Sequence, residues 1–141
     1  MGAPVILCGA TERIGSGVIE NLKPEYDVIH FVMSVEAARV QIKAIFEGNQ
    51  SPPSDSELGS KVYSQKPIAV ILGGAFTDED VTAMMKATAH IHPIPWLRPD
   101  KSKPTPPLGP AYGKAMVDRI KERIPQLEQG GEMGEAKQFL F

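Results

Sequence analysis

The stretch that most constrains the fold is VILCGATERIG, residues 5–15. It begins as a short continuous apolar run, which is typical of a strand buried on both faces. A glycine corner follows, and a helical pattern then places Ile14, Val18, Ile19 and Leu22 on one face. A strand, a tight turn and a helix in this order predict the first unit of a parallel α/β sheet.

The rest of the chain continues this alternation of strands and helices. YDVIHFVM and IAVILGG are further apolar runs, and Ser34 and Thr77 are favourable N-caps for the helices that follow them. The fourth extended run, IHPIPWL, contains two prolines and is therefore expected at a sheet edge. A last helix carries Tyr112 and is expected to end at Pro125, because proline cannot donate the next helical hydrogen bond.

The length of the chain fits a single domain, residues 1–141. Residues 49–67 are rich in Pro and Ser and predict a polar surface loop. Residues 126–141 form a Gly-rich tail with an apolar end that docks on the body or on a neighbour. Too few residues separate KVYS from IAVIL for a parallel crossover, so the expected strand order is 2-1-3-4. We therefore predict an open parallel sheet of about four strands with helices on both faces, a Rossmann/flavodoxin-like α/β fold.

Composition and charge argue against several classes of function. The net charge is −2 and no segment carries a basic stripe, which argues against nucleic-acid binding. Cys8 is the single cysteine and the three histidines lack metal-ligand spacing, so a zinc site is not expected. The sequence has neither a signal-peptide pattern nor an 18-residue apolar run, and we expect a cytoplasmic protein without membrane contact.

The first unit resembles the NAD(P)-binding unit of the atypical, NmrA-like short-chain dehydrogenases. Their corner has the pattern T-G-A-T-G-x-x-G, and the matching residues here are Gly9, Ala10, Thr11, Ile14 and Gly15. The resemblance covers about the first 35 residues and implies NADP or NAD as the cofactor. The whole chain also resembles small stand-alone proteins of filamentous fungi without an assigned activity.

The sequence departs from this pattern at three places. Glu12 and Arg13 stand where the atypical and classical patterns have the glycine that lets the backbone approach the pyrophosphate. Ser34, at the end of the second strand, is neither the acid nor the base that would bind the ribose. Tyr112 and Lys114 are only two residues apart, so the catalytic Tyr-x-x-x-Lys is missing. Dehydrogenase catalysis by the family's mechanism is therefore not predicted.

The expected site lies outside the carboxyl ends of the strands, at the switch point between strands 1 and 3. The predicted binding residues are Gly9, Thr11, Arg13, Gly15, Ser34, Gly73 and Gly74. The candidate catalytic residues are Glu12, Arg98, Asp100 and Tyr112. Two structural alternatives are an Arg98–Asp100 pair that only fixes its loop, and a half-buried core position for Tyr112.

Three functions are compatible with these residues. The leading prediction is the binding of a nucleotide or other anionic small molecule, because a helix N-terminus at a glycine corner binds anions. The second is a cofactor-free isomerase or dehydratase of fungal secondary metabolism, built on a degenerate dinucleotide scaffold. The third is a non-catalytic scaffold that forms a homodimer through the exposed second strand or through the C-terminal QFLF segment.

Overall fold

The computed structural model describes residues 2–141 as one open α/β sheet with helices on both faces. Its elements, in chain order, are β1 (Ala3–Cys8), α1 (Glu12–Leu22), β2 (Tyr26–Val32), α2 (Val35–Phe46), β3 (Ala69–Leu72), α3 (Asp78–Thr88), β4 (Trp96–Arg98), α4 (Pro110–Gln129) and β5 (Gln138–Leu140). All strands are parallel, in the order β2-β1-β3-β4-β5. This is the flavodoxin-like order, and its switch point lies between β1 and β3, as predicted.

The sheet is buried on both faces, which explains its continuous apolar strands. Val5 and Leu7 of β1 face a core that also contains residues of α1 and α4. Ile6 and Cys8 alternate with them and face a second core beneath α2 and α3. Because successive side chains of a strand point to opposite faces, both sets must be apolar.

Side-chain caps mark the starts of three helices, and those of α2 and α3 are the N-caps that the sequence predicts. Thr11 and Ser34 accept hydrogen bonds from the backbone N–H groups of the first turns of α1 and α2. Thr77 and Asp80 form a reciprocal capping box at the start of α3. These caps satisfy backbone donors that have no partner inside the helix, and they hold each helix start beside the strand that precedes it.

The prediction that the fourth strand lies at a sheet edge was wrong, and the sheet has five strands where about four were expected. β4 is an internal strand between β3 and β5, not an edge strand. Pro93 and Pro95 lie before β4 and not within it, and the Pro95 carbonyl accepts a hydrogen bond from Val70. The C-terminal segment adds β5, in which Phe139 pairs with Leu97. The tail therefore docks on the body and completes a sheet of five strands.

The predicted end of the last helix was also wrong. α4 continues through Pro125 to Gln129, so the tail begins at Gly130 and not at residue 126. Proline removes one backbone hydrogen bond within the helix. Ile124 and Leu127 are fully buried on the two sides of Pro125, and this packing outweighs the loss.

Residues 49–67 form no helix or strand, as predicted, but they cover part of the outer edge of β2. The backbone N–H groups of Ser60 and Lys61 donate to the carbonyls of Val28 and Ile29. This stretch of β2 was expected to be exposed, and it is instead already paired. None of the helices within residues 2–141 has the length and apolar character needed to cross a membrane.

Candidate functional site

A cavity of about 160 Å³ lies at the carboxyl ends of β1 and β3, at the switch point of the sheet. Its floor is formed by the strand ends and by the turns that follow them, residues 7–11 and 71–75. Its walls are side chains of α1, β2, α4 and the C-terminal residue of the chain: Ile14, Val18, Phe31, Tyr112, Met116, Ile120 and Phe141. We call this space the inner cavity. Its walls are almost entirely apolar.

The inner cavity brings together about half of the residues that the sequence predicts for the site. Those that line it are Gly9, Thr11, Gly15, Gly73, Gly74 and Tyr112. They come from the two glycine-containing strand ends, the first turns of α1 and the start of α4. A cavity therefore lies at the switch point where the sequence predicts a site, and its walls are apolar, which was not expected.

The predicted residues Glu12, Arg13 and Ser34 do not line the inner cavity. The Glu12 carboxylate accepts a hydrogen bond of 2.8 Å from the Ser56 hydroxyl. Arg13 lies beside a separate surface depression near the start of α4. The Ser34 hydroxyl caps α2. None of these three side chains therefore contributes to the walls of the inner cavity.

The loop after β4 contains no Arg98–Asp100 pair. Arg98 Nη1 instead lies 2.7 Å from a carboxylate oxygen of Asp78 and 2.9 Å from the Gln138 amide oxygen. The Asp100 carboxylate accepts hydrogen bonds from the hydroxyl and the backbone N–H of Ser102, which lower its pKa. Both candidate catalytic residues therefore have partners that fix local structure, and neither lines the inner cavity.

The glycines of the corner are explained by an aromatic ring that the sequence analysis did not single out. Phe31, fully buried near the end of β2, packs against Gly9 and Gly15. A Cβ atom at Gly15 would lie 2.6 Å from Phe31 Cε1, and one at Gly9 would lie 3.3 Å from the same atom. These glycines are therefore needed for packing against the end of β2, independently of any phosphate.

Tyr112 is the candidate catalytic residue that does line the inner cavity. Its side chain is half-buried, as in the structural alternative, and its hydroxyl lies 3.3 Å from where a Cβ of Gly74 would be. The nearby Asp100 and Lys114 side chains form hydrogen bonds with other groups, and Arg119 donates through Nη2 to Pro104, while its buried Nη1 has no partner among residues 2–141. Among residues 2–141, the Tyr112 hydroxyl is left without a hydrogen-bond partner and is free to contact a ligand.

A second polar cluster lies at the edge of the sheet. His30 is fully buried, and its two ring nitrogens lie 2.7 Å from the Tyr63 hydroxyl and 2.7 Å from the Gln41 amide oxygen. Gln41 in turn donates to Asp55. Burial lowers the pKa of His30, because the interior disfavours the charged ring. His30 is therefore a packed, hydrogen-bonded residue, and we call His30, Gln41, Asp55 and Tyr63 the His30 cluster.

Metal binding has no support in the described part of the chain. Residues 2–141 contain no group of three or more His, Cys, Asp or Glu side chains arranged to hold a metal ion. Cys8 is fully buried, and this burial raises the pKa of its thiol far above the usual range. Its thiol is therefore protonated at neutral pH and is a poor nucleophile.

Comparisons with known proteins give one informative relationship. No protein-family model and no solved structure matches the sequence. The chain is 36% identical over 135 residues to kojic acid related protein 6 of Aspergillus oryzae. The alignment covers 92% of this chain and 80% of that relative. The chain therefore belongs to the same family as kojic acid related protein 6.

Proposed function

We propose that this protein binds a small organic molecule at the carboxyl ends of β1 and β3, with an apolar ring of the ligand in the inner cavity. The observation that carries the proposal is the inner cavity itself, which is apolar and lies at the position where open α/β sheets bind ligands. An engineered cavity of about 150 Å³ in another protein binds benzene. The inner cavity, at about 160 Å³, is thus suited to a single ring.

Nucleotide binding has less support than the binding of a compact ligand with a single ring. The inner cavity is lined by a strand, a glycine corner and a helix in succession, and this arrangement is typical of nucleotide-binding domains. Against this, the Phe31 ring packs on Gly9 and Gly15, and the Glu12 carboxylate adds negative charge to the first turn of α1. Ser34 caps α2 at the place where a ribose-binding residue would stand. We therefore use NADP and NAD as comparison ligands and not as the expected ones.

An isomerase or dehydratase would need an acid or base next to the ligand. Glu12, Arg98 and Asp100 are hydrogen-bonded to Ser56, Asp78 and Ser102, and none of them lines the inner cavity. Of the four candidates for catalysis, Tyr112 alone contacts this space. This arrangement favours binding over acid–base catalysis at the inner cavity.

The relative's name supplies a first probe. It connects the Aspergillus oryzae protein with kojic acid, which is a compound with a single ring. Because this chain belongs to the same family, and because its inner cavity has the size of one ring, kojic acid and simple ring compounds should be tested together. A cytoplasmic location and a homodimer stay predictions.

The test is calorimetric titration of the protein with kojic acid, benzyl alcohol, benzoate and NADPH. We expect at least one of the single-ring compounds to bind, and Ile14→Phe, which fills the inner cavity, to weaken that binding about tenfold. Arg13→Ala is the matched control, because Arg13 is adjacent in sequence and lies outside the cavity. Failure of every single-ring compound to bind, or NADPH binding that depends on Arg13, would overturn the proposal.

A further inference from the structure

The inner cavity continues into a second, more polar space. This outer cavity has a volume of about 380 Å³ and lies against the loop between β4 and α4. The two cavities share the lining residues Gly74, Ala75, Pro99, Leu108 and Tyr112. The outer cavity adds Asp100, Lys101, Lys103 and Thr105 to these. One ligand can therefore extend from the apolar inner cavity to the charged side chains of the outer cavity.

The charged groups of the outer cavity favour an anion. Lys101 and Lys103 are exposed, and neither forms an ion pair with another of residues 2–141. The Asp100 carboxylate also lines the outer cavity, and it accepts two hydrogen bonds from Ser102. The two ammonium groups outnumber this one carboxylate, so the charged side chains that line the outer cavity carry a net positive charge.

The loop that carries these lysines is held in place. The Asp100 backbone N–H donates to the carbonyl of Phe141, and the Lys103 N–H donates to the carbonyl of Asp100. Arg119 of α4 donates to the carbonyl of Pro104 farther along the loop. A loop that is fixed before binding loses less conformational freedom when a ligand arrives, which favours affinity.

We propose that the ligand is an organic anion with one ring, whose ring occupies the inner cavity and whose anionic group lies in the outer cavity beside Lys101 and Lys103. The Tyr112 hydroxyl stands at the junction of the two cavities and donates a hydrogen bond to the ligand. The anionic group is a carboxylate or a phosphate ester, which share this chemistry. This inference rests on the proposed function and specifies its ligand class.

Gly74 keeps the junction of the two cavities open. A Cβ atom at this position would lie 3.3 Å from the Tyr112 hydroxyl and 3.9 Å from a carbon of Pro99. A larger side chain would therefore obstruct the passage between ring and anionic group. Gly74→Val should abolish binding of the anion, and its fold can be verified by circular dichroism.

The decisive experiment compares ligands that share a ring but differ in charge. Benzoate, phenyl phosphate and benzyl alcohol are titrated at low ionic strength into the wild-type protein and into the double variant Lys101→Gln/Lys103→Gln. Two exposed charge contacts are lost in the variant, so benzoate or phenyl phosphate should bind about fivefold more weakly, while benzyl alcohol should be unaffected. Tighter binding of benzoate would identify the anionic group of the ligand as a carboxylate, and tighter binding of phenyl phosphate would identify it as a phosphate ester.

The control is Lys43→Gln/Lys86→Gln, which removes the same charge from α2 and α3, away from both cavities. It should leave all three affinities unchanged. If benzoate, phenyl phosphate and benzyl alcohol bind equally well to every variant, the anion site is refuted and the proposed function stands. If none of the three binds to the wild-type protein, the anion inference fails, and the proposed function fails with it if kojic acid does not bind either.

Discussion

The inner cavity and the His30 cluster differ in how their polar groups are satisfied. In the His30 cluster, both ring nitrogens of the histidine have protein partners within 2.7 Å, and Gln41 reaches a further partner. At the inner cavity the walls are apolar, and the Tyr112 hydroxyl at its mouth has no partner among residues 2–141. The hydrogen bonds of the His30 cluster are thus formed within the protein, whereas the Tyr112 hydroxyl can still form one.

The His30 cluster serves the fold by attaching the long loop to the sheet. β2 contains a register shift, in which Val5 pairs with Val28 but Ile6 pairs with His30. Gly59 approaches this part of β2 with φ of +96°, and a Cβ there would lie 3.0 Å from the His30 backbone nitrogen. Only glycine fits such a close approach with a positive φ. The polar cluster and the glycine together hold residues 54–63 against β2.

The largest effect should come from the wall of the inner cavity. Phe141 is 2% exposed and lines the cavity, whereas its neighbour Leu140 is 51% exposed. We expect Phe141→Ala to lower the free energy of unfolding by about 3 kcal/mol, and Leu140→Ala by less than about 0.5 kcal/mol. Urea unfolding monitored by circular dichroism measures both values. Equal losses of unfolding free energy in the two variants would show that Phe141 is not packed in the wall of the inner cavity.

A smaller loss of stability should show that Gly15 is needed for packing against Phe31. Gly15→Ala places a methyl group against the Phe31 ring and should cost about 2 kcal/mol of stability, despite alanine's higher helix propensity. Gly17→Ala, in the same helix with no atom within 4 Å of its new Cβ, should instead stabilise by up to about 1 kcal/mol.

A Phe31→Leu background tests the cause of the Gly15 effect. If the ring is responsible, Gly15→Ala should cost less in that background, and a double-mutant cycle from denaturant unfolding gives the coupling. An unchanged cost would mean that Gly15 is required for a reason other than packing against Phe31.

The His30 cluster should make stability depend on pH. Burial lowers the pKa of His30 below its ordinary value of 6.5, so the unfolded chain binds the proton more readily than the folded one. The contribution of neutral His30 is complete above pH 6.5 and decreases as the pH falls towards the lowered pKa of the folded state. Denaturant unfolding at a series of pH values should show this decrease in the wild-type protein and a shallower one in His30→Gln. Identical pH profiles would contradict the burial of a neutral histidine.

The smallest effect is expected at Glu12. Its carboxylate accepts a hydrogen bond from Ser56, and the amide oxygen of Glu12→Gln can accept the same bond. We expect a change in stability below about 0.5 kcal/mol and no change in the affinity for single-ring ligands. Titration of this variant with benzoate would reveal a direct role for the carboxylate as an altered affinity.

Much of the fold could be predicted because local patterns determine it. The apolar runs, the caps at Ser34 and Thr77 and the short spacing before IAVIL led to the parallel sheet and its switch point. β5 could not be predicted, because Gln138–Leu140 is only three residues long and follows a Gly-rich segment. Its pairing with β4 depends on tertiary contacts that no local pattern reveals.

The sequence led to the place where the inner cavity lies but not to the apolar character of its walls. The glycine corner indicated the strand ends at which the cavity lies. It did not indicate the kind of ligand, because glycines at strand ends also allow close packing. The partners Asp78 for Arg98 and Ser56 for Glu12 are 20 and 44 residues away, so sequence spacing could not exclude these side chains from the site. Phe31, which fills the space beside Gly9 and Gly15, is indistinguishable in sequence from any other apolar strand residue.

The central claim, that the inner and outer cavities hold a single-ring anion, can be tested most directly by crystallography with 4-bromobenzoate. The bromine gives an anomalous signal that locates the ring independently of the carboxylate density. We expect the bromine among Ile14, Phe31 and Met116 and the carboxylate between Tyr112 and the two lysines, Lys101 and Lys103. Bromine sites only outside these cavities, or crystals without any bound ligand at concentrations that saturate the protein in solution, would contradict it.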